Sequence, residues 1–263
     1  MGQNLSGTDW KLLYASVTGT SHVKAGLPCQ DFSLATEVET AGGSVLVAAC
    51  SDGAGSAAMS QEGSRLACSQ FVATASRMLT SRSVGDCINY PKVMEWYREV
   101  AGALHARSVE LRCTPRDLAC TLLTAVVGAG WAVLAQLGDG GIVARETDTY
   151  ELIFWPESGE YLNTTRFITD ADFEAHLQVA FRGYVRECAL LSDGLQLVAL
   201  NFAERNAHAA FFRPFFTTLR ATADPAELVI DLRAFLDSAS VNSRTDDDKT
   251  LLLATRTVPG GGV

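Results

Sequence analysis

Three Asp-Gly pairs each follow an apolar run, and this pattern constrains the chain more than any other feature. They are Asp52-Gly53 after SVLVAACS, Asp139-Gly140 after WAVLAQLG, and Asp193-Gly194 after ECALLS. An acidic cluster, Asp246-Asp247-Asp248, stands just before another apolar run, LLLA. Short apolar runs rich in Val, Leu and Ala, bounded by Gly, read as buried strands. Four separate strands then each carry a carboxylate at one end. Carboxylates gathered at strand ends repel one another unless a cation neutralises them. The pattern therefore predicts a site for a hard divalent metal, built from Asp oxygens.

The bulk numbers set the frame. The chain has 263 residues, 48% of them hydrophobic, which suits one large domain spanning 1–263 with a small insertion. No apolar run reaches the roughly 18 residues of a membrane span, and the start, MGQNLSGTDWK, lacks a secretory signal. Net charge is -9, with no basic stripe, so neither a nucleic acid nor a membrane is an expected partner. Seven cysteines include no C-x-x-C pair, which disfavours a zinc ribbon or a dithiol redox motif. Several lie within apolar runs, where a thiol behaves as a small hydrophobe. A reducing, cytoplasmic compartment is expected.

Along the chain, residues 10–18 read as a strand, 19–31 as a loop and 44–51 as a strand. Helical spacing covers about 56–79 and 91–113, the second with Pro91 at its first position. ACTLLTAVVGAG and WAVLAQLG form a hairpin, followed by short strands at 142–145 and 150–155. Residues 156–185 mix turn residues with a short strand, LNTTRFIT, and read as a surface flap or insertion; Gly159-Glu160-Tyr161 and Asn163-Thr164-Thr165 form its motif. A strand at 187–191, helices at 208–219 and 224–239, and a last strand at 249–255 complete the order. Clustered rather than alternating strands and helices imply an α+β fold, with antiparallel sheets covered by helices.

Much familiar chemistry is absent. The sequence has no phosphate-binding G-x-x-x-x-G-K-[ST] loop, no G-x-S-x-G elbow, no Cys followed six residues on by Arg, and no H-E-x-x-H. His22, His105, His176 and His208 share no metal-ligand spacing, which disfavours zinc hydrolysis. An oxygen-ligand site remains, suited to Mg²⁺ or Mn²⁺. Two such ions about 4 Å apart polarise a phosphoryl group and activate a water.

In order, Asp52-Gly53-Ala54-Gly55-Ser56, Gly138-Asp139-Gly140, Ser192-Asp193-Gly194 and Asp247-Asp248-Lys249-Thr250 resemble the metal-dependent serine/threonine phosphatases of the protein phosphatase 2C type. Gly19 through Asp31 resembles the first motif of a bacterial branch. The resemblance spans roughly residues 10 to 255. It implies a four-layer αββα sandwich of two antiparallel sheets flanked by helices. It also implies a bridging role for Asp52 between two core Mg²⁺ or Mn²⁺ ions, with the Gly53 carbonyl on the second and Asp193 and Asp247 on the first. Asp31 is implied as a direct or water-mediated partner, and Asp139 as support for a third ion. The implied reaction is attack of a metal-bridging hydroxide on phosphoserine or phosphothreonine. Its partners would be a phosphoprotein substrate and a cognate kinase, with the enzyme a monomer.

Three departures bear on this. Gln30 stands where many eukaryotic members have Glu. Ala54 stands where they have the His thought to protonate the leaving group. The phosphate-binding Arg of the first motif has no match, leaving His22 or Lys24 as stand-ins. For His22 a loop hydrogen bond is the alternative, and for Asp117 a turn role competes with a place behind the ligands. Two rival functions follow: a pseudophosphatase that binds phosphoproteins, and a hydrolase of a small phosphorylated metabolite.

Overall fold

Most strands read as unbroken apolar runs because both faces of their sheets are covered. A computed structural model describes residues 10–81, 88–155 and 165–257. One sheet has the order β1 (Trp10–Val17), β12 (Lys249–Arg256), β9 (Glu187–Leu191), β6 (Gly141–Arg145), β7 (Tyr150–Leu152). The other has the order β2 (Phe32–Thr40), β3 (Gly43–Ser51), β4 (Leu122–Val127), β5 (Ala132–Leu137), β8 (Gln178–Arg182). Every pairing within them is antiparallel. A small hairpin, β10 (Leu200–Asn201) and β11 (Asn206–Ala207), stands apart.

The alternation within β3 shows how the layers form. Leu46, Ala48 and Cys50 face an inter-sheet core with Leu123, Leu134, Ile142, Leu190 and Leu252. Val45, Val47 and Ala49 face the opposite way, toward Phe71, Trp96 and Tyr97. Those rings belong to two long helices, α2 (Ser60–Ser81) and α3 (Tyr90–Leu111), which cover the second sheet. Asn89 caps α3, its side chain accepting from the Lys92 N–H at 3.0 Å, with Pro91 just inside. The first sheet's outer face packs Leu13, Leu191 and Leu253 against Phe212, Phe216 and Leu232. These come from α6 (Ala209–Ala221) and α7 (Val229–Leu236). Three further short helices are α1 (Thr20–Ala25), α4 (Phe173–His176) and α5 (Gln196–Ala199); α8 (Ala239–Asn242) precedes the last strand. The expected helix–sheet–sheet–helix layering is therefore observed.

Local differences have physical reasons. The stretch expected as loop contains α1, closed by Gly26 in the left-handed region at φ 68°. β2 has no long apolar run, because polar residues alternate along this edge strand, and it escapes an apolar-run criterion. The expected insertion is in part integral. β8 extends the second sheet along β5, and Ile168, Phe173 and Leu177 join the core under α2 and α3. No strand forms over 165–169, contrary to the expectation for LNTTRFIT, whose first residues lie outside the described set. The motif residues Gly159 to Thr164 also lie outside it. No helix among the described residues is long and apolar enough to cross a membrane.

Register brings the acidic residues to one end of the sandwich. Phe32 pairs with Ser51, which sets Asp31 beside Asp52. Leu191 pairs with both Gly141 and Leu251, so Asp139, Asp193 and the turn before β12 converge.

Candidate metal centre

Asp52, Asp139, Asp193 and Asp247 line one cleft of about 280 Å³, together with Gly53, Ala54, Gln30 and His22. Asp31 sits behind this wall rather than on it, 5% exposed. Asp52, Asp31 and Asp139 are each held by a hydroxyl side chain. Thr121 brackets Asp52: its Oγ1 accepts the Asp52 N–H at 2.9 Å, and its own N–H donates to the Asp52 carbonyl at 2.8 Å. Ser192 Oγ donates to Asp31 Oδ2 at 2.6 Å and accepts from the Thr250 N–H at 2.9 Å. Thr165 Oγ1 donates to Asp139 Oδ2 at 2.6 Å, and Gln196 Nε2 donates to the Asp139 carbonyl.

The two neighbours in the acidic cluster differ. Asp247 is exposed at the cleft, its Oδ1 accepting from the Asp248 N–H at 2.8 Å. Asp248 is buried and works on the backbone. It accepts the Gly19 N–H on Oδ1 and the Gln30 N–H on Oδ2, both at 2.6 Å. His22 Nδ1 lies 3.0 Å from the same Oδ1. Asp248 thus closes the loop that carries His22 and Gln30, a role that sequence reading did not find. Of the two, Asp247, which the resemblance implies as a ligand, is the one that lines the cleft. Lys24 is exposed and does not line the cleft.

The glycines after the Asp residues serve close packing. A Cβ on Gly53 would meet Ser60 Cβ at 2.7 Å, one on Gly140 the Leu191 carbonyl at 2.5 Å, and one on Gly194 the Asp248 carbonyl at 2.0 Å. A positive φ, 110°, occurs instead at Gly138, just before Asp139. Asp117 takes the turn role: it pairs with Thr114 in a capping box. His105 is exposed on α3, and His208 is exposed at the start of α6.

The cleft's electrostatics suit a cation. Burial pushes the Asp31 carboxyl up to about 7, with Asp248 and Asp193 adding to the shift. Burial, then Asp139, pushes Asp193 up to about 6. Burial, then Asp31 and Asp193, holds Asp52 well above the usual carboxylate range. Asp52 and Asp193 each perturb the other's ionisation, and only a shared proton or a cation joins two neighbouring carboxylates. Asp31 Oδ1, Asp193 Oδ1 and Gln30 Oε1 are buried without a hydrogen-bond partner among the described residues. Unpaired buried oxygens of this kind are unfavourable unless something positive meets them. No three His, Cys, Asp or Glu side chains among the described residues already form a closed ligand group. The donors border a shared cleft instead, and all are oxygens, the set that hard ions such as Mg²⁺ and Mn²⁺ take.

Comparison with known proteins agrees with this geometry. The family described as protein phosphatase 2C matches residues 18–237, a span that ends before Asp247. Serine/threonine-protein phosphatase 3 of Escherichia coli K12 is 36% identical over 252 residues, covering 93% of this chain and 98% of that protein. Among solved structures, serine/threonine phosphatase Stp1 from Staphylococcus aureus superposes with a TM-score of 0.60 at 14% identity, covering 99% of this chain and 100% of that one. The serine/threonine phosphatase of S. agalactiae gives 0.55 at 15% identity, covering 94% and 99%. The fold, the match over most of the length and the 36% identity lead to one conclusion: the chain belongs to the protein phosphatase 2C family and is a phosphatase of that type.

Proposed function

We propose that the chain hydrolyses phosphoserine and phosphothreonine monoesters in proteins with the help of Mg²⁺ or Mn²⁺. The observation that carries this reading is the cleft where four Asp side chains from separate turns meet, backed by Asp31. Asp52, Asp193, Asp247 and the Gly53 carbonyl would hold two core ions, with Asp31 in support and Asp139 serving a third. Bound there, such ions neutralise the carboxylates, polarise phosphoryl oxygens and lower the pKa of a nearby water.

The remaining roles fall to the chain itself. Thr121 and Ser192 fix Asp52 and Asp31 in place. His22, whose Nδ1 lies 3.0 Å from Asp248 Oδ1, would meet the substrate's phosphate at the rim in place of the missing arginine. Ala54 packs with Ala57, Ala119 and Phe167 and offers no proton. The leaving oxygen would then take its proton from water or from His22.

Ala54 and Gln30 favour a second reading, a pseudophosphatase that binds phosphoproteins without turnover. A metabolite hydrolase on the same cleft is a third. Six cysteines among the described residues are free, which supports a reducing, cytoplasmic setting. The substrate implies a cognate kinase, and a monomer suffices for the cleft, which this chain builds alone.

The test is hydrolysis of phosphothreonine peptides by the purified protein in Mn²⁺ and in EDTA, beside a panel of phosphorylated metabolites. Peptide turnover that requires Mn²⁺ and is lost in Asp52→Ala supports the reading. Binding without turnover, or turnover of metabolites alone, overturns it.

A further inference from the structure

A second cavity of about 250 Å³ adjoins the carboxylate cleft and shares Asp139 and Thr165 with it. It adds Gln136, Trp155, Arg166, His176 and Gln178. The two cavities differ in charge. The first is bordered by four carboxylates and, among the described residues, by no Lys or Arg. Arg166 is the one Lys or Arg among the described residues that borders either.

Arg166 is poorly neutralised. Its acidic neighbour is Asp172, whose Oδ2 lies 3.8 Å from Nη1, and the two side chains are 41% and 59% exposed. That distance is beyond hydrogen-bond reach, and exposed pairs of this kind contribute little. His176 Nε2, at 3.2 Å, already engages the same Asp172 oxygen. The forked guanidinium, which matches a carboxylate or phosphate edge, therefore retains donors.

A second cation lies near Trp155 but outside the cavity lining. Arg205 lies over the Trp155 ring, 5.2 Å from its centroid, and is exposed on the hairpin between β10 and β11. The cavity thus combines an aromatic wall, Trp155, with one guanidinium, Arg166, in a chain of net charge -9. Such a chain repels acidic substrates in general, so a guanidinium beside the cleft bears on which anionic groups are accepted. The shared wall carries one opposing charge, Asp139. Thr165 hydrogen-bonds it, and ions in the cleft would offset it.

We propose that this cavity is a substrate subsite, taking an anionic side chain that flanks the phosphorylated residue. A carboxylate and a second phosphate present the same chemistry to Arg166. The inference rests on the phosphatase reading and names the substrate class of that site: phosphoproteins acidic or multiply phosphorylated around the target residue.

Four peptides of one length test it, each with one phosphothreonine flanked by Ala, Glu, Lys or phosphoserine. Turnover of the phosphothreonine is followed in Mn²⁺ for the wild type, Arg166→Gln and Arg166→Glu. One charged hydrogen bond corresponds to about tenfold. The wild type should favour the Glu or phosphoserine peptide over the Ala peptide by about that factor, chiefly through KM. Arg166→Gln should shrink the preference to about twofold or less, and Arg166→Glu should turn it toward the Lys peptide. A larger gain from phosphoserine than from Glu would identify multiply phosphorylated substrates; the reverse would identify acidic ones. Equal turnover of all four peptides by the wild type, or a preference unchanged in Arg166→Glu, overturns the subsite and leaves the phosphatase reading intact. No turnover of any peptide or of para-nitrophenyl phosphate overturns both.

Discussion

Replacing Asp248 with Ala removes the acceptor of two backbone N–H groups, those of Gly19 and Gln30, each at 2.6 Å. The carboxylate is only 2% exposed, so water does not readily take its place. A buried donor left unpaired costs about 1–3 kcal/mol, which sets the loss for the pair at about 4 kcal/mol. That is a large part of the 5–15 kcal/mol typical of a domain. Asp247→Ala serves as the internal control. Its carboxylate is exposed and accepts one N–H, that of Asp248, at 2.8 Å. Its removal should cost about 1 kcal/mol or less, yet abolish metal-dependent turnover. Urea unfolding in EDTA, followed by tryptophan fluorescence, separates stability from metal binding. An Asp248→Ala loss under about 1 kcal/mol would refute the reasoning, as would Asp247→Ala unfolding as easily as Asp248→Ala.

Three further outcomes follow. In EDTA the folded protein holds protons on Asp31 up to about pH 7 and on Asp193 up to about pH 6, whereas the unfolded chain releases them near pH 4. The folded state binds more protons across that window, so stability falls as pH rises from about 4 to 7. Added Mn²⁺ should remove the fall, and thermal melts at pH 5 and 8 with and without metal check the sign. Glu187 is fully buried, bonded to Arg145 and to the Tyr150 hydroxyl at 3.0 Å each, and to Arg220. Glu187→Leu removes the buried carboxylate, leaving Arg145 with the exposed Asp148 and Arg220 with the Thr217 hydroxyl, and should cost about 3 kcal/mol in urea unfolding; an unchanged midpoint would contradict this. Gly138→Ala meets both a φ of 110° and Thr121 Cγ2 at 2.4 Å. It should displace Thr121 and Asp52 together, and so lower metal affinity as well as stability by about 2 kcal/mol; a variant with wild-type affinity would count against it.

The layers were legible because each central strand is apolar on both faces, and helical spacing marked α2 and α3. The cleft was legible because Asp52, Asp139, Asp193 and Asp247 each stand beside an apolar run, where register gathers them. The supporting roles that hold the cleft together were not legible. Thr121, Ser192 and Thr165 are ordinary hydroxyl residues whose partners lie 26 to 161 positions away. Asp248 looked equivalent to Asp247, because burial rather than residue type separates them. The glycine of each Asp-Gly pair stands where backbone carbonyls or Ser60 occupy the space a side chain would need, a constraint no sequence pattern displays. β8 was read as part of a flap, since a short, half-exposed edge strand carries little apolar signal.

The most direct test of the central claim is a calorimetric titration of Mn²⁺ into the metal-free protein and into Asp52→Ala. The account predicts saturable binding of two ions by the wild type, with protons released as Asp31, Asp52 and Asp193 ionise, and neither ion bound comparably by the variant. Unchanged binding in Asp52→Ala, or no binding by the wild type at millimolar Mn²⁺, would contradict it.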